Sequence, residues 1–298
     1  MRKYFCFFFL LIVFNYLQAQ DKTVRELKEL ATKQLKSLDS SGWKRNGTFI
    51  LGINQGALSN WAPGGEQSVL GVNAILNYSV NFRRGKNIWD NYFDLALGFQ
   101  NATSFGRFRK IDDRIDITSK YGYLVNHHWY AGVLTNFNSQ SLAGYDYSIE
   151  PNKKVSNFLT PGKILISPGI DYKTKTRFSL FLSPVTIRWV LKRDRDFLTI
   201  SKFGVDSAKK VNIELGAFVM AKYKAVFAKW ATYAGRIDLF SNYRRKPGNI
   251  DLLMNNLLTM KFNPIISTNV SLDVIYDDDV KKRLQIKEIM GIGFTIKL

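Results

Sequence analysis

Apolar and polar residues alternate one by one along most of the chain beyond residue 43. Between Leu70 and Phe82 every second residue is apolar, and most of the residues between them are small or polar. The segments from Phe93 to Phe99 and from Met290 to Ile296 follow the same rule. A period of two places apolar side chains on one face of an extended strand and polar side chains on the other. The pattern therefore predicts β-strands with one apolar face.

The predicted strands are longer than the five or six residues that are usual in soluble proteins. A tilted strand that crosses a membrane needs about nine to eleven residues. An even number of strands is typical of bacterial single-chain barrels. Pro184 interrupts one strand and predicts a bulge or a shift of the alternation there. The twelve predicted strands are 46–57, 66–83, 88–104, 110–124, 127–142, 161–174, 177–191, 210–224, 227–243, 249–262, 265–277 and 283–298.

Short and long connections alternate between these strands, which is typical of outer-membrane barrels. Closure follows because lipid offers no partner to an unpaired strand edge. We therefore predict an all-β fold, a transmembrane antiparallel up-and-down barrel of about 12 strands with both termini on the side of the short turns. The predicted short turns are 83–87, 126–128, 173–175, 224–225 and 263–264. The predicted longer loops are 57–65, 104–109, 143–160, 192–209 and 243–248, and the last connection, 278–282, is short.

The first 42 residues differ from this pattern. Residues 1–19 combine a basic start, an apolar stretch and a small residue before the expected cleavage point, which predicts a signal peptide. Residues 20–42 predict a periplasmic amphipathic helix and linker, since apolar residues recur every three or four positions. That helix either rests against a larger body or serves as a plug or docking handle. Residues 43–298 form the predicted barrel, and the predicted location is the cell outer membrane.

Ten aromatic residues fall near the predicted strand ends, where the aromatic girdles of membrane barrels lie. The alternative is ordinary core packing, which would need a second sheet to cover the apolar face. The ten residues are Trp43, Trp89, Tyr92, Tyr121, Tyr123, Trp129, Tyr172, Tyr223, Trp230 and Tyr233.

The composition of the chain excludes several classes of protein and of binding site. The chain has 298 residues, a net charge of +19 and 14% aromatic residues, which excludes a disordered protein. Its one cysteine, Cys6, lies in the predicted signal peptide, so disulfides and cysteine zinc sites are excluded. His127 and His128 are adjacent in a predicted turn and form a poor metal pair. The acidic run 277–279 lacks a calcium-loop spacing. We predict no enzyme, no cofactor and no metal.

Charged residues of both signs occupy the positions that alternate with the apolar ones, and they are predicted to face the lumen. They form either a neutralised network of ion pairs or a selective path for small solutes. They are Asp94, Arg114, Asp116, Lys120, Lys163, Asp171, Lys173, Glu214, Lys222, Arg236, Asp238, Asp251, Lys261, Asp273, Lys287 and Lys297.

The predicted outer loops are basic, and three adjacent cations stand out. Arg244, Arg245 and Lys246 would repel one another unless anions lie among them, and the phosphates of lipopolysaccharide are suitable anions. The alternative is that the three side chains are simply solvated. The predicted partners are therefore outer-membrane lipid and lipopolysaccharide, with a periplasmic or envelope protein as a further partner. Export and membrane strands argue against nucleic acid.

Four groups of residues resemble a known family. They are Gly52–Gly65, Gly144–Tyr147, Leu239–Tyr243 with Pro247–Asp251, and Ile275–Asp279. Together they resemble the domain of unknown function 3078 family, secreted proteins of Bacteroidota, over essentially the whole barrel. The resemblance implies an outer-membrane β-barrel and no assigned activity, so it implies no catalytic residue.

The sequence thus favours an integral outer-membrane barrel that forms a channel for small solutes, with anions favoured by the basic loops. The alternative is a structural or accessory subunit of an envelope complex that transports nothing.

Overall fold

A computed structural model describes residues 41–57, 68–148, 151–174 and 177–298. Twelve of its strands close into one antiparallel barrel, which confirms the predicted fold class. The predicted signal peptide, nearly all of the predicted helix and the segment around Trp61 lie outside the described residues. The barrel strands are β1 (Gly42–Ala57), β2 (Ser68–Arg84), β3 (Asn87–Ala102), β4 (Arg109–Asn126), β5 (Trp129–Ser139), β8 (Gly162–Lys173), β9 (Phe178–Leu191), β10 (Val211–Ala228), β11 (Ala231–Asn242), β12 (Ile250–Lys261), β13 (Ile266–Asp277) and β14 (Lys281–Lys297).

Each barrel strand pairs with its neighbours in the chain, and β14 returns to pair with β1. Two further strands, β6 (Gly144–Asp146) and β7 (Lys153–Ser156), form a separate hairpin inside the long connection between β5 and β8. Short 3-10 turns lie at Thr103–Phe105 and Arg195–Phe197. Within the described part of the chain, no helix has the length and apolarity needed to cross a bilayer.

The chain ends at the rim that carries the short turns. The backbone N–H of Leu298 donates to the carbonyl of Gly47 at 2.9 Å, which ties the last residue to β1. The short turn predicted at 224–225 is wrong, because β10 continues to Ala228 and the turn lies at Lys229–Trp230. Val226 and Phe227 supply further exposed apolar side chains, so the strand pattern extends past the predicted end.

Pro184 coincides with the expected irregularity in β9. Gly216 of β10 faces Thr186, but Phe218 faces Ser183, so β9 holds one extra residue there. The insertion exchanges the two faces of the strand: Phe181 is inside before the bulge and Arg188 is inside after it. A β-bulge of this kind re-aims the side chains that follow it.

The outward surface of the barrel is apolar, as in barrels that cross membranes. Ile286, Met290 and Ile292 of β14 are 65%, 63% and 59% exposed, although such residues are normally buried. Exposed aromatic residues gather at the short-turn rim, where the rings of Trp43 and Trp89 lie 5.7 Å apart. The described outward face therefore combines an apolar band with one aromatic rim.

Tyr92 does not belong to that rim. It lies on the inward side of β3, in the same parity as the buried Asp90, and the ammonium group of Lys222 from β10 lies 3.6 Å from the centre of its ring. The prediction failed for Tyr92 because proximity to a strand end was given more weight than strand parity.

The closing seam between β1 and β14 is the shortest pairing in the barrel. β1 pairs with β14 only through Thr48–Ile53, opposite Ile292–Lys297. On its other side, β14 pairs with β13 along nearly its whole length, from Lys281 to Phe294.

Candidate functional site: the barrel interior

Strand β4 carries a ladder of charges along the inner wall. Asp112, Arg114, Asp116 and Lys120 are inward-facing, and Asp112, Asp116 and Lys120 are each less than 6% exposed. Alternation places these positions on one face of the strand. Each of the four makes an ion pair with another strand, so β4 connects much of the barrel through its interior.

Arg114 joins opposite walls of the barrel. Its guanidinium donates to Asp94 of β3 at 3.1 Å and to Asp273 of β13 at 2.9 Å. Lys287 of β14 lies 2.6 Å from Asp112 and 2.7 Å from Asp273. The shared carboxylate of Asp273 links these contacts into one network.

A second crossing connects β11 to β4. Arg236 donates to Asp116 at 2.9 Å and also pairs with Asp238 on its own strand. The side-chain amides of Asn136 and Asn138 donate to Asp116 at 2.8 and 3.3 Å. Asp116 is thus fully satisfied, as a buried carboxylate must be.

A third group lies towards the short-turn rim. Lys120 lies 2.7 Å from Asp171 of β8, and Lys173 pairs with both Asp171 and Asp90. Arg83 also reaches Asp90, at 2.8 Å. Two carboxylates and three cations are therefore paired at this level, with one more cation than carboxylates.

A fourth group lies towards the long loops. Arg188 of β9 lies 2.5 Å from Glu214 and 2.6 Å from Asp251 of β12. Lys163 of β8 reaches Asp277 of β13 at 2.6 Å. Arg188–Asp251 and Lys163–Asp277 join strands that are not neighbours in the sheet, whereas Arg188 and Glu214 lie on adjacent strands.

The remaining predicted lumen residues fall outside these ion pairs. Lys222 lies over the ring of Tyr92, a cation–π contact. Lys261 ends β12 at the short-turn rim and is half-buried. The side chain of Lys297 lies outside the described part of the chain.

Carboxylates of Asp251, Asp277 and Asp278 approach within 4.8 Å of one another. Their oxygens contact cations and an amide: Arg188, Lys163 and Asn249 respectively. The structure therefore uses this acidic group in ion pairs and hydrogen bonds.

One side of the interior is filled by apolar side chains. These side chains come from five consecutive strands of the barrel, β5 and β8 to β11. The guanidinium of Arg188 lies 3.8 Å from the ring centre of Phe240, which belongs to this group. Their packing resembles a protein core. The cluster consists of Leu134, Leu165, Phe181, Phe218, Met220 and Phe240.

The opposite wall, formed by β13, β14, β1 and β2, is lined by small and uncharged residues around Gly52. Gly52 faces Asn73 of β2 and Gly293 of β14, and Asn269 of β13 faces Gly291. A cavity on this wall has room for about one water molecule. It is lined by Ile50, Gly52, Asn73, Ile75, Asn269, Ser271, Ile289 and Gly291.

The two longest described loops are tied together outside the strands. Lys154 of β7 and Asn157 donate to Asp194 at 3.1 and 2.5 Å. Burial acts to raise the pKa of Asp194, but the hydrogen bonds from Asn157, the Asp196 backbone and Lys154 outweigh it and lower the pKa. Lys192 donates to three backbone carbonyls of the same loop, and burial lowers the pKa of its ammonium group.

Two of the three cations predicted to bind lipid phosphate have carboxylate neighbours. Arg245 lies 3.3 Å from Asp279, and Lys246 lies 3.7 Å from Asp278, both in the connection between β13 and β14. Arg244 is exposed on the same loop. The sequence argument treated external phosphate as the available anion, whereas the fold brings the protein's own anions to this loop.

The set of lumen residues predicted from the sequence omits several members of the network. Asp90 and Asp112 share the parity of Asp94 and Arg114, so extending the alternation would have found them. Arg188 follows the bulge at Pro184, where parity could not be carried forward. The inward apolar residues gave no signal, because an apolar residue in an apolar stretch does not reveal its face.

The solved structures that are similar to this chain are distant from it in sequence. The outer membrane channel COG4313 from Pseudomonas putida F1 is 9% identical, over 87% of this chain and 95% of that one, with a TM-score of 0.37. The NanC porin is 8% identical over 84% and 97%, with a TM-score of 0.36. The translocator domain of the autotransporter NalP from Neisseria meningitidis is 9% identical over 93% and 98%, with a TM-score of 0.38.

A search of curated protein sequences finds no match to this chain. A family model does match, described as "Protein of unknown function (DUF3078)", over residues 53–145. The matched segment includes most of the Gly52–Gly65 motif, whereas the motifs from Leu239 onwards lie outside it. Residues 53–145 therefore carry the signature of the DUF3078 family, which confirms the resemblance predicted from the sequence over that part of the chain.

Proposed function

We propose that this protein is an integral outer-membrane β-barrel. The support is its inside-out distribution of residues: charged groups such as Arg114 and Asp116 point inwards, and apolar residues such as Ile286 and Ile292 point outwards. Lipid favours that arrangement, whereas water would not. The predicted signal peptide, 1–19, supplies the route of export.

The location is tested by fractionation and by gel mobility. We expect the protein in the outer-membrane fraction, and we expect faster migration before boiling than after, since a folded barrel stays compact in detergent. Recovery from the soluble periplasm would contradict the proposal.

We propose further that the barrel is a narrow channel for small solutes. The observation that carries this proposal is the uncharged stretch of wall around Gly52, where the residues that line the cavity are glycine, asparagine, serine and isoleucine. Ion pairs elsewhere in the interior neutralise much of the lumen charge, so a preference for anions is supported by the basic loops and not by the interior.

Purified protein in planar bilayers tests this function. We expect small unitary conductance, and a weak anion preference in the reversal potential if the loops select the solute. Arg114→Met should increase the conductance, because it removes a side chain that crosses the lumen. A barrel that conducts nothing in either form would contradict the channel.

The second candidate is a sealed structural barrel in an envelope complex. The packed cluster around Phe181 and Phe218 favours it, because apolar side chains fill that half of the lumen as in an ordinary core. Absence of conductance together with recovery of a stable protein partner after crosslinking would support this candidate over the first.

A further inference from the structure

The uncharged wall contains two buried hydrogen-bond acceptors that have no partner. Asn73 and Asn269 are only 6% and 7% exposed. The side-chain oxygen Oδ1 of each finds no hydrogen bond within the described residues. Buried polar atoms are nearly always satisfied, so two such atoms on one cavity point to a missing donor.

The other polar side-chain atom of Asn269 is used in a hydrogen bond. Its Nδ2 donates to Oγ of Ser267 at 2.8 Å, and Ser267 is itself bonded to Thr295. With Nδ2 used in this bond, Oδ1 is the side-chain atom of Asn269 that has no partner among the described residues.

Glycine makes the space at this position. A Cβ atom built on Gly52 would overlap Oδ1 of Asn73, so any larger residue would displace the Asn73 amide from its position beside the cavity. Gly71, two residues along β2 from Asn73, is different. A Cβ atom there would lie 3.6 Å from its nearest neighbour, Asn54, which is an ordinary contact.

We propose that this cavity binds a small hydrogen-bond donor the size of a water molecule, either water itself or ammonium, between Asn73 and Asn269. The acceptors are neutral carbonyl oxygens, and the cavity lining contains no charged residue. The two oxygens satisfy N–H or O–H donors. The proposal rests on the proposed channel in one respect: the cavity would be the narrow point of the solute path.

Thermal unfolding, read as the loss of fast gel migration, tests binding without any need for conductance. We expect ammonium chloride to raise the midpoint relative to tetramethylammonium chloride, which has no N–H donor. Asn73→Leu and Asn269→Leu should each abolish the difference while the barrel still forms, because leucine has a similar volume and removes the acceptor. Gly71→Ala is the matched control and should keep the wild-type response.

Binding of a water molecule in the cavity is tested by nuclear magnetic resonance of the protein in detergent. A long-lived water would give a cross-peak to the side-chain amide of Asn269 that disappears in Gly52→Ala, where the new methyl group displaces the Asn73 acceptor from the site. The proposal is overturned if ammonium has no selective effect and no such water is present, or if both leucine variants keep the wild-type response.

The proposed binding site and the proposed channel can be refuted independently of each other. A wild-type barrel that conducts nothing but shows the ammonium shift would refute the channel and keep the site. A barrel whose conductance in ammonium is unchanged by Asn73→Leu, with no ammonium shift and no bound water, would keep the channel and refute the site.

Discussion

Arg114 and Asp273 lie 159 residues apart in the chain, yet Nη1 of Arg114 is 2.9 Å from Oδ2 of Asp273. The shorter way around the sheet from β4 to β13 passes through five strand pairings, close to the maximum for a barrel of twelve strands. The pair therefore spans the lumen and fixes its width at that level.

Breaking this crossing should weaken the barrel. Arg114→Met removes the one ion pair that Asp94 makes among the described residues, whereas Asp273 keeps Lys287. Removing one member of a buried pair costs about 3–5 kcal/mol. Urea unfolding followed by gel mobility should show the loss, and Arg114→Met combined with Asp94→Leu should recover part of it. Equal stability of Arg114→Met and wild type would show that the crossing does not hold the fold.

The assignment of faces can be tested on β3. Leu95 lies between Leu76 and Ile115 on neighbouring strands and faces outwards. Leu95→Arg should cost about 2–4 kcal/mol if the site is near the bilayer midplane. Refolding into lipid vesicles measures this, with Leu95→Phe as an apolar control at the same site. Equal refolding of the arginine variant would place this residue outside the membrane.

We predict that the loop of Arg244 binds lipopolysaccharide, and two sets of substitutions with opposite expected effects test this prediction. Changing Arg244, Arg245 and Lys246 to Gln should lower the lipopolysaccharide that co-purifies with the barrel. Asp278→Asn together with Asp279→Asn should raise it, because these carboxylates compete with phosphate for Lys246 and Arg245. If neither change alters the lipid content of an assembled barrel, the three cations are simply solvated.

Acid should loosen the contact between the two long loops. The pKa of Asp194 is lower in the folded state than in an unfolded chain, so this contact adds stability above the unfolded pKa. The contribution is lost as the pH falls through the folded pKa. Limited proteolysis of the loop between β9 and β10 should therefore accelerate in acid, and Asp194→Asn should remove most of that pH dependence. A wild-type cleavage rate that is flat with pH would contradict this role.

The sequence predicts which residues face the interior of the barrel better than it predicts the contacts that these residues make there. Alternation was enough to place Asp94, Arg114 and Asp116 on one face, because the period of a strand is fixed by backbone geometry. The ion-pair partner of each charged residue could not be predicted, because it depends on strand tilt and on which strands lie opposite one another after the barrel closes.

The apolar half of the interior could not be predicted for a different reason. Phe218 and Met220 alternate with Val219 and Ala221, so both faces of β10 are apolar there. Only the buried state of Phe218 and Met220, 4% and 2% exposed, distinguishes the inner face. Likewise, the orphaned oxygens of Asn73 and Asn269 exist only after two separate strands are brought to one cavity.

The short seam between β1 and β14 has a consequence for how the barrel comes apart. From Lys281 to Gly291, the edge of β14 that faces away from β13 pairs with no strand among the described residues. Such an edge lacks the cooperative pairing that protects the other strands. Amide hydrogen–deuterium exchange should therefore be faster in the segment from Lys281 to Gly291 than in β2 or β3. Unfolding of the barrel should begin at this edge.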